Sequence, residues 1–265
     1  MKNNNKFDYK KYKDQLAKIK NSWLCKTPIA HRGLHNNDNA PENSINAFKN
    51  AVKKNYAIEL DVHQLKDGNL AVFHDNSLIR MCGKPVMISS LTTEELKNYN
   101  LANSDQKIPT LDEVLSVVDG KVPLLIELKS FKLNGKIESA LLEKMKNYNG
   151  QYAIESFNPY SLNWFKKNAP EVIRGQLISN MGNAVGYGIG DTIMHMLVNS
   201  KKTMPHFISS SISAISKIKN GEKPLISWTV KTKEQYDKVM QYCDNAIFEK
   251  FNPLKLLTQH HLNIA

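Results

Sequence analysis

Cysteine is scarce in this chain of 265 residues, which contains only Cys25, Cys82 and Cys243. The number is odd and the spacings are wide, so the sequence predicts neither a disulfide framework nor a cysteine-based zinc site. We expect a cytoplasmic protein, because a reducing compartment is the simplest place for such a chain.

Long apolar runs are also missing. No stretch of 18 or more apolar residues occurs, so we expect no transmembrane helix. The chain begins Met-Lys-Asn-Asn-Asn-Lys and has no apolar segment typical of a secretory signal. No internal repeat or aromatic-basic strip for nucleic-acid bases is evident, so we expect no nucleic-acid partner. The length and the 41% hydrophobic content suit one large domain.

The positive charge is concentrated at the N-terminus. The net charge is +11, and residues 1–26 contribute +6 of it through eight lysines and two aspartates. Tyr9, Tyr12, Leu16 and Ile19 follow a spacing of 3, 4 and 3, which predicts an amphipathic helix. We expect residues 1–26 to form a basic helical lead-in that closes the bottom of a barrel domain over 27–265. Membrane contact through this helix is the less favoured alternative.

Strand-like and helical runs alternate along the rest of the chain. This alternation predicts a parallel α/β fold, and the absence of Gly-x-Gly-x-x-Gly behind the first strand favours a closed TIM-type (β/α)8 barrel. Ser44, Thr110 and Thr232 are placed to cap helices. Strands are predicted at 28–31, 57–62, 70–74, 123–129, 152–157, 172–178, 207–211, 225–230 and 246–248. Helices are predicted at 44–54, 92–99, 111–118, 136–147, 159–168, 211–219, 232–241 and 253–259.

Nine strands are one too many for this barrel. Only about seven residues separate 57–62 from 70–74, whereas a parallel crossover needs roughly a dozen or more. Asp67-Gly68 between them is a two-residue hairpin signal, which would pair Asp61 with His74 and restore the count of eight. Residues 76–109 are expected to be a small insertion over the barrel mouth that shapes the pocket, and 179–206 a second excursion.

Acidic side chains stand inside two otherwise apolar strands. Glu59 and Asp61 are two residues apart and so share one face, where burial without a partner is costly. A divalent cation would remove that cost and suits oxygen ligands; a plain ion pair is the alternative. Glu127 could complete the ligand set, and Lys129 could reach a phosphate oxygen, unless the two simply pair with each other.

Two histidines end strand-like runs. His31 and His74 can activate a nucleophile and protonate a leaving group, because their pKa values lie near neutrality. Arg32 offers a planar donor fork for phosphate. Asp75 follows His74 directly, so we expect its side chain to point elsewhere and to orient a loop. Together these clusters indicate a metal-assisted phosphoryl site.

The order of these clusters closely resembles the glycerophosphodiester phosphodiesterase family across residues 28–251. The resemblance implies metal-dependent hydrolysis of small glycerophosphodiesters to sn-glycerol 3-phosphate and an alcohol, with Mg²⁺ or Ca²⁺. Lysophospholipase D-like cleavage at membranes and a non-catalytic phosphate-binding barrel are the alternatives. The matching pieces are His31-Arg32-Gly33, Pro41-Glu42-Asn43-Ser44, Glu59-Leu60-Asp61-Val62, Val72-Phe73-His74-Asp75, Glu127-Leu128-Lys129, Ser156-Phe157 and Trp228-Thr229-Val230.

The resemblance also implies a role for each matching residue. It assigns acid/base catalysis to His31 and His74. It assigns metal ligation to Glu59, Asp61 and Glu127. Phosphate and substrate binding fall to Arg32, Lys129, Phe157 and Trp228. Glu42 and Asn43 match a supporting motif, with Asn43 close to the metal.

Two positions depart from the family pattern. Phe248-Glu249-Lys250 replaces the usual Thr-Asp after the last strand, and Lys231 replaces the usual Asn after Trp-Thr-Val. We expect neither departure to touch the histidines or the metal ligands, and both to affect substrate preference instead.

Overall fold

The computed structural model describes residues 9–36, 38–179, 200–218 and 221–253. Its centre is a closed barrel of eight parallel strands, because the first strand pairs with both the second and the last. This confirms the predicted TIM-type (β/α)8 barrel. In chain order the strands are β1 (Ile29–Ala30), β2 (Ala57–Gln64), β3 (Leu70–Val72), β4 (Leu124–Leu128), β5 (Tyr152–Ser156), β6 (Arg174–Ile178), β7 (Phe207–Ser211), β8 (Leu225–Val230) and β9 (Asn245–Phe248).

The ninth strand, β3, is the antiparallel arm of a hairpin on β2, as predicted, but its register differs by one residue. Val62 pairs with Val72, and the carbonyl oxygen of Asp61 accepts from the amide of Phe73 at 3.0 Å. The prediction that Asp61 faces His74 is therefore wrong. The cause is a three-residue loop between Leu65 and Asn69, in which Gly68 has a φ of 88°, in place of a two-residue turn.

Helices surround the barrel, and the three predicted caps are confirmed. Ser44 Oγ accepts from the amide of Ala47, Thr110 Oγ1 from that of Glu113, and Thr232 Oγ1 from that of Gln235. Among the described residues the α-helices are α1 (Tyr9–Lys20), α2 (Trp23–Lys26), α3 (Ile45–Lys53), α4 (Ile79–Cys82), α5 (Leu111–Val118), α6 (Lys136–Met145), α7 (Pro159–Asn168) and α8 (Lys233–Val239). In the same part of the chain, 3₁₀ helices cover Ile88–Ser90, Glu94–Asn98 and Ile212–Lys217. The predicted helix at 253–259 lies almost wholly outside it.

The amino-terminal ends of the strands are closed by the first two helices. Tyr12, Leu16 and Ile19 on α1 are buried, as the spacing predicts, whereas Tyr9 at the first position of the helix is 57% exposed. Ile19 and Leu24 pack in one cluster with strand residues such as Ala57, Leu125 and Ile226. This end of the barrel is thus filled with apolar side chains, and the opposite end is left for polar chemistry. No described helix has the length and apolar character needed to cross a membrane.

Apolar side chains of the insertion at 76–109 pack beside the hairpin in a small cluster. This cluster includes Phe73, Leu78, Ile88 and Leu96. Its residues Asn76, Met87 and Ser89 line a cavity at the barrel mouth, in agreement with its expected place there. The second predicted excursion, 179–206, lies mostly outside the described residues.

Candidate active site

Functional side chains converge at the carboxyl ends of the strands, where TIM barrels carry their active sites. They line a pocket of about 100 Å³. Eight of the nine predicted site residues face this pocket, and Asp61 lies buried beside them. The eight are His31, Arg32, Glu59, His74, Glu127, Lys129, Phe157 and Trp228.

The carboxylates of Glu59, Asp61 and Glu127 form one buried cluster. One oxygen atom from each lies within 4.8 Å of the other two. Asp61 and Glu127 are register partners on adjacent parallel strands, and Glu59 shares the inward face of β2 with Asp61. The barrel pairing therefore brings together acids that are 66 positions apart along the chain.

This cluster fits a hard divalent cation. Burial raises the pKa of Glu127 to about 7, and burial with the charges of Asp61 and Glu127 raises the pKa of Glu59 well above its ordinary value. A cation among the three carboxylates would relieve this repulsion, and oxygen ligands suit Mg²⁺ and Ca²⁺. Asn43 Nδ2 donates to Asp61 Oδ2 at 2.8 Å, and the buried Asn43 Oδ1 has no hydrogen-bond partner among the described residues.

Two cations adjoin the carboxylates. Lys129 Nζ lies 2.9 Å from Asp61 Oδ1 and 2.7 Å from Glu127 Oε1. Burial opposes the charge on Lys129, but the two carboxylates raise its pKa above the ordinary value. The amide of Arg32 donates to Glu59 Oε2 at 2.8 Å, and its guanidinium donates to Glu42 Oε1 at 2.7 Å. Fixed positive charge therefore lies directly beside the carboxylate cluster, where a phosphate could be bound.

His31 is oriented by one of the residues that depart from the family pattern. Its Nδ1 lies 2.9 Å from Glu249 Oε2, and Lys231 Nζ lies 2.9 Å from Glu249 Oε1. The expectation that Glu249 and Lys231 leave both histidines untouched is therefore wrong. Barrel closure is the reason, because the amide of His31 donates to the carbonyl oxygen of Phe248, which places the residue after β9 against the residue after β1.

Electrostatics around His31 favour the neutral imidazole. Burial lowers the pKa of His31 to about 4, although the hydrogen bond to Glu249 acts in the opposite direction. Burial alone would raise the pKa of Glu249, but hydrogen bonds from His31, His35 and Lys231 hold it well below its ordinary range. Glu249 is thus a carboxylate that accepts a hydrogen bond from Nδ1–H of an uncharged His31 ring. This tautomer leaves Nε2 of His31 as the free acceptor.

His74 has a carboxylate partner of its own. Its Nδ1 lies 2.6 Å from Asp75 Oδ1, so the prediction that Asp75 points elsewhere is wrong. Strand alternation does not apply here, because β3 ends at Val72 and both residues follow it. Arg80 from the insertion binds Asp75 Oδ2 at 2.6 Å and Glu42 Oε2 at 2.8 Å.

Sequence reasoning missed Glu155, which also lines the pocket. It is the register partner of Glu127 on β5 and is 1% exposed. Burial, with the nearby charge of Glu127, raises the pKa of Glu155 to about 8, which favours its neutral form. The signal was present in the run Tyr152-Ala-Ile-Glu-Ser156, which repeats a buried glutamate near the end of a strand.

Two aromatic residues form one wall of the pocket. The rings of Phe157 and Trp228 meet edge to face with centroids 5.8 Å apart. Together with Leu177 and Ile247, the two rings give an apolar side to a pocket whose other lining residues are mostly titratable.

Comparisons with known proteins agree with this geometry. The model of the glycerophosphoryl diester phosphodiesterase family matches residues 31–251. A glycerophosphodiester phosphodiesterase of Caldanaerobacter subterraneus is 33% identical over 224 residues, which cover 80% of this chain and 89% of that protein.

Solved structures show the same fold. A glycerophosphodiester phosphodiesterase from Thermotoga maritima is 27% identical, with a TM-score of 0.64, and covers 84% of this chain and 94% of that one. A phosphodiesterase from Oleispira antarctica, in complex with the product sn-glycerol-3-phosphate, is 24% identical, with a TM-score of 0.68, and covers 84% and 92%. The chain therefore belongs to the glycerophosphoryl diester phosphodiesterase family and is an enzyme of the phosphodiesterase class.

Proposed function

We propose that this protein hydrolyses glycerophosphodiesters to sn-glycerol 3-phosphate and an alcohol with the help of a divalent metal ion. One observation gives the proposal its main support. A buried cluster of three carboxylates, two fixed cations and two imidazoles with carboxylate partners lie together at one pocket. The bound product in the Oleispira antarctica phosphodiesterase supports the choice of product.

Glu59, Asp61 and Glu127 would hold the metal, and their all-oxygen donor set favours Mg²⁺ or Ca²⁺ over softer ions. When bound, the ion supplies Lewis acidity at a phosphate oxygen and a template for the substrate. Lys129 contacts Asp61 and Glu127, so its ammonium group holds these ligands and remains within reach of a phosphate.

Arg32 and Lys129 bind and orient the phosphate. Because both side chains are largely buried, at 15% and 10% exposure, their attraction for an anion is screened less than that of surface cations. Glu42 accepts from both Arg32 and Arg80, which fixes the Arg32 guanidinium before substrate arrives. Phe157 and Trp228 pack against the glycerol carbons and exclude water from that side.

His31 and His74 carry out the proton transfers. Each ring binds a carboxylate through Nδ1, so its Nε2 is the atom left for substrate, nucleophile or leaving group. One imidazole accepts the proton of the nucleophile, and the other donates a proton to the departing alkoxide. Glu249 and Asp75 act through these rings by fixing their orientation and stabilising the imidazolium forms.

The dependence of the rate on the leaving group tests which histidine is the acid and which is the base. His31→Ala and His74→Ala should each lower turnover of glycerophosphocholine by roughly 10²-fold or more. With glycerol 3-phosphate esterified to p-nitrophenol, whose anion leaves unprotonated, the variant that lacks the acid should recover most of the parent rate, and the other should not.

The matched control is His206→Gln. His206 directly precedes β7, at the amino-terminal end of the strands, and does not line the pocket, so the variant should keep most of the parent turnover. A His31 or His74 variant that turns over glycerophosphocholine close to the parent rate would remove that histidine from the mechanism.

A further inference from the structure

A second and larger cavity adjoins the catalytic pocket. It has a volume of about 530 Å³ and lies between the hairpin, the insertion and the loop before α6. Lys129 lines both spaces, so a ligand bound at the phosphate site borders both. The catalytic pocket of about 100 Å³ is small beside the roughly 300–1,000 Å³ typical of small-molecule sites. The part of the substrate beyond the reacting phosphate therefore needs additional room, which this cavity supplies.

The charge of the cavity is of one sign. Lys66, Lys129, Lys132 and Lys136 line it, and no aspartate or glutamate is among the described residues of its wall. In the part of the chain that the structure describes, no ion pair joins Lys66, Lys132 or Lys136 to a carboxylate.

Acids close to these lysines along the chain are engaged elsewhere. Asp67 accepts from the amide of Thr93 at 2.8 Å. Glu138 is fully buried and accepts from Ser130 Oγ at 2.9 Å and from Ser161 Oγ. The positive charge of the lysines is therefore not cancelled within the cavity wall.

The remaining polar groups of the wall suit hydroxyl groups. Gln64, Asn76, Ser89, Ser130 and Asn134 place amide and hydroxyl side chains around the same space. Such groups can donate to and accept from a polyol. The stacked rings of His63 and Phe131 also border the cavity, but its described wall has no carboxylate to pair with a quaternary ammonium group.

On the basis of the proposed function, we propose that this cavity binds the alcohol part of the diester and selects alcohols that are anionic polyols, such as a glycerol that carries a second phosphate. Lys66, Lys132 and Lys136 are then specificity-determining residues for the leaving alcohol. Exposed ion pairs each change affinity by a factor of about 1.5–5, so three of them together give a preference of roughly 3- to 100-fold at low salt. The preference should fall as ionic strength rises, because exposed charges are screened.

Three substrates that differ in the charge of the alcohol test the inference: glycerophosphocholine, glycerophosphoglycerol, and glycerophosphoglycerol with a terminal phosphate. For the full chain, kcat/KM should rise in that order. In a Lys66→Gln, Lys132→Gln, Lys136→Gln triple variant the preference should disappear, with the largest fall in kcat/KM for the substrate that carries the terminal phosphate.

The control is Lys121→Gln, which removes one exposed lysine from the turn before β4, at the other end of the barrel. It should keep the full preference. Equal kcat/KM for all three substrates in the parent, or an unchanged preference in the triple variant, would overturn the inference and leave the proposed function standing. Absence of turnover for all three would overturn the proposed function and this inference with it.

Discussion

Glu249→Gln is the substitution that most sharply probes how this chain tunes its acid/base pair. The glutamate is 9% exposed, and its Oε2 lies 2.9 Å from His31 Nδ1. Glutamine keeps the shape but removes the negative charge that stabilises a protonated His31. Hydrogen bonds to charged groups contribute about 1.5–3 kcal/mol. Because Glu249 also binds Lys231, we take the lower part of this range and expect kcat to fall roughly 10- to 30-fold.

The pH profile separates this role from simple structural damage. Glu249 opposes the effect of burial on His31, so its loss should move the pKa of His31 further down from about 4. The acidic limb of kcat/KM should therefore shift to lower pH while the plateau falls and KM stays nearly constant. Lys231→Gln removes a cation near Glu249, so it should raise the pKa of His31 and move the acidic limb to higher pH. This shift should be smaller, because Lys231 is 50% exposed.

The assay is release of sn-glycerol 3-phosphate, with kcat and KM measured from pH 3 to 9 for the parent and both variants. Lys250→Gln is the control, because Lys250 Nζ is 4.0 Å from Glu249 Oε1 and 64% exposed. A Glu249→Gln enzyme with a kcat within twofold of the parent at every pH would refute the reasoning.

Two further predictions concern stability. Mg²⁺ or Ca²⁺ at 100 times its Kd should stabilise the parent by about 2.7 kcal/mol in thermal unfolding, and Asp61→Asn should lose most of this gain; equal gains would argue against the carboxylate site. Burial lowers the pKa of His206 to about 2, so its contribution to stability is present above about pH 6.5 and is lost as pH falls below it, at about 1.4 kcal/mol per pH unit. Denaturant unfolding from pH 7 to 5 should therefore show a shallower pH dependence in His206→Gln, and an unchanged slope would contradict this account.

The barrel could be predicted because its signals are local. Apolar runs such as Leu124–Leu128 are buried along their whole length, as parallel strands require, and Asp67-Gly68 marks a turn whatever its length. The length of that loop was not predictable from the dipeptide alone, because both two-residue and three-residue hairpins place glycine at a positive φ. A slip of one residue was enough to misplace the partner of Asp61.

The residues of the site were predictable from their local motifs, but contacts between residues on distant strands, such as that of His31 with Glu249, were not. Glu59 and Asp61 lie on one face of β2 by alternation. The contact between His31 and Glu249 spans 218 positions and depends on which strands close the barrel and in what register, which no local pattern contains. The same limit applies to Glu155, whose role follows from its pairing with Glu127.

The most direct test of the account is release of sn-glycerol 3-phosphate from glycerophosphoglycerol by the full chain, first treated with EDTA and then supplied with Mg²⁺ or Ca²⁺. We expect EDTA to abolish release and at least one of the two ions to restore it, with no restoration in Asp61→Asn. Release that survives EDTA, or no release with either ion, would contradict the claim that the three buried carboxylates hold the metal for phosphodiester hydrolysis.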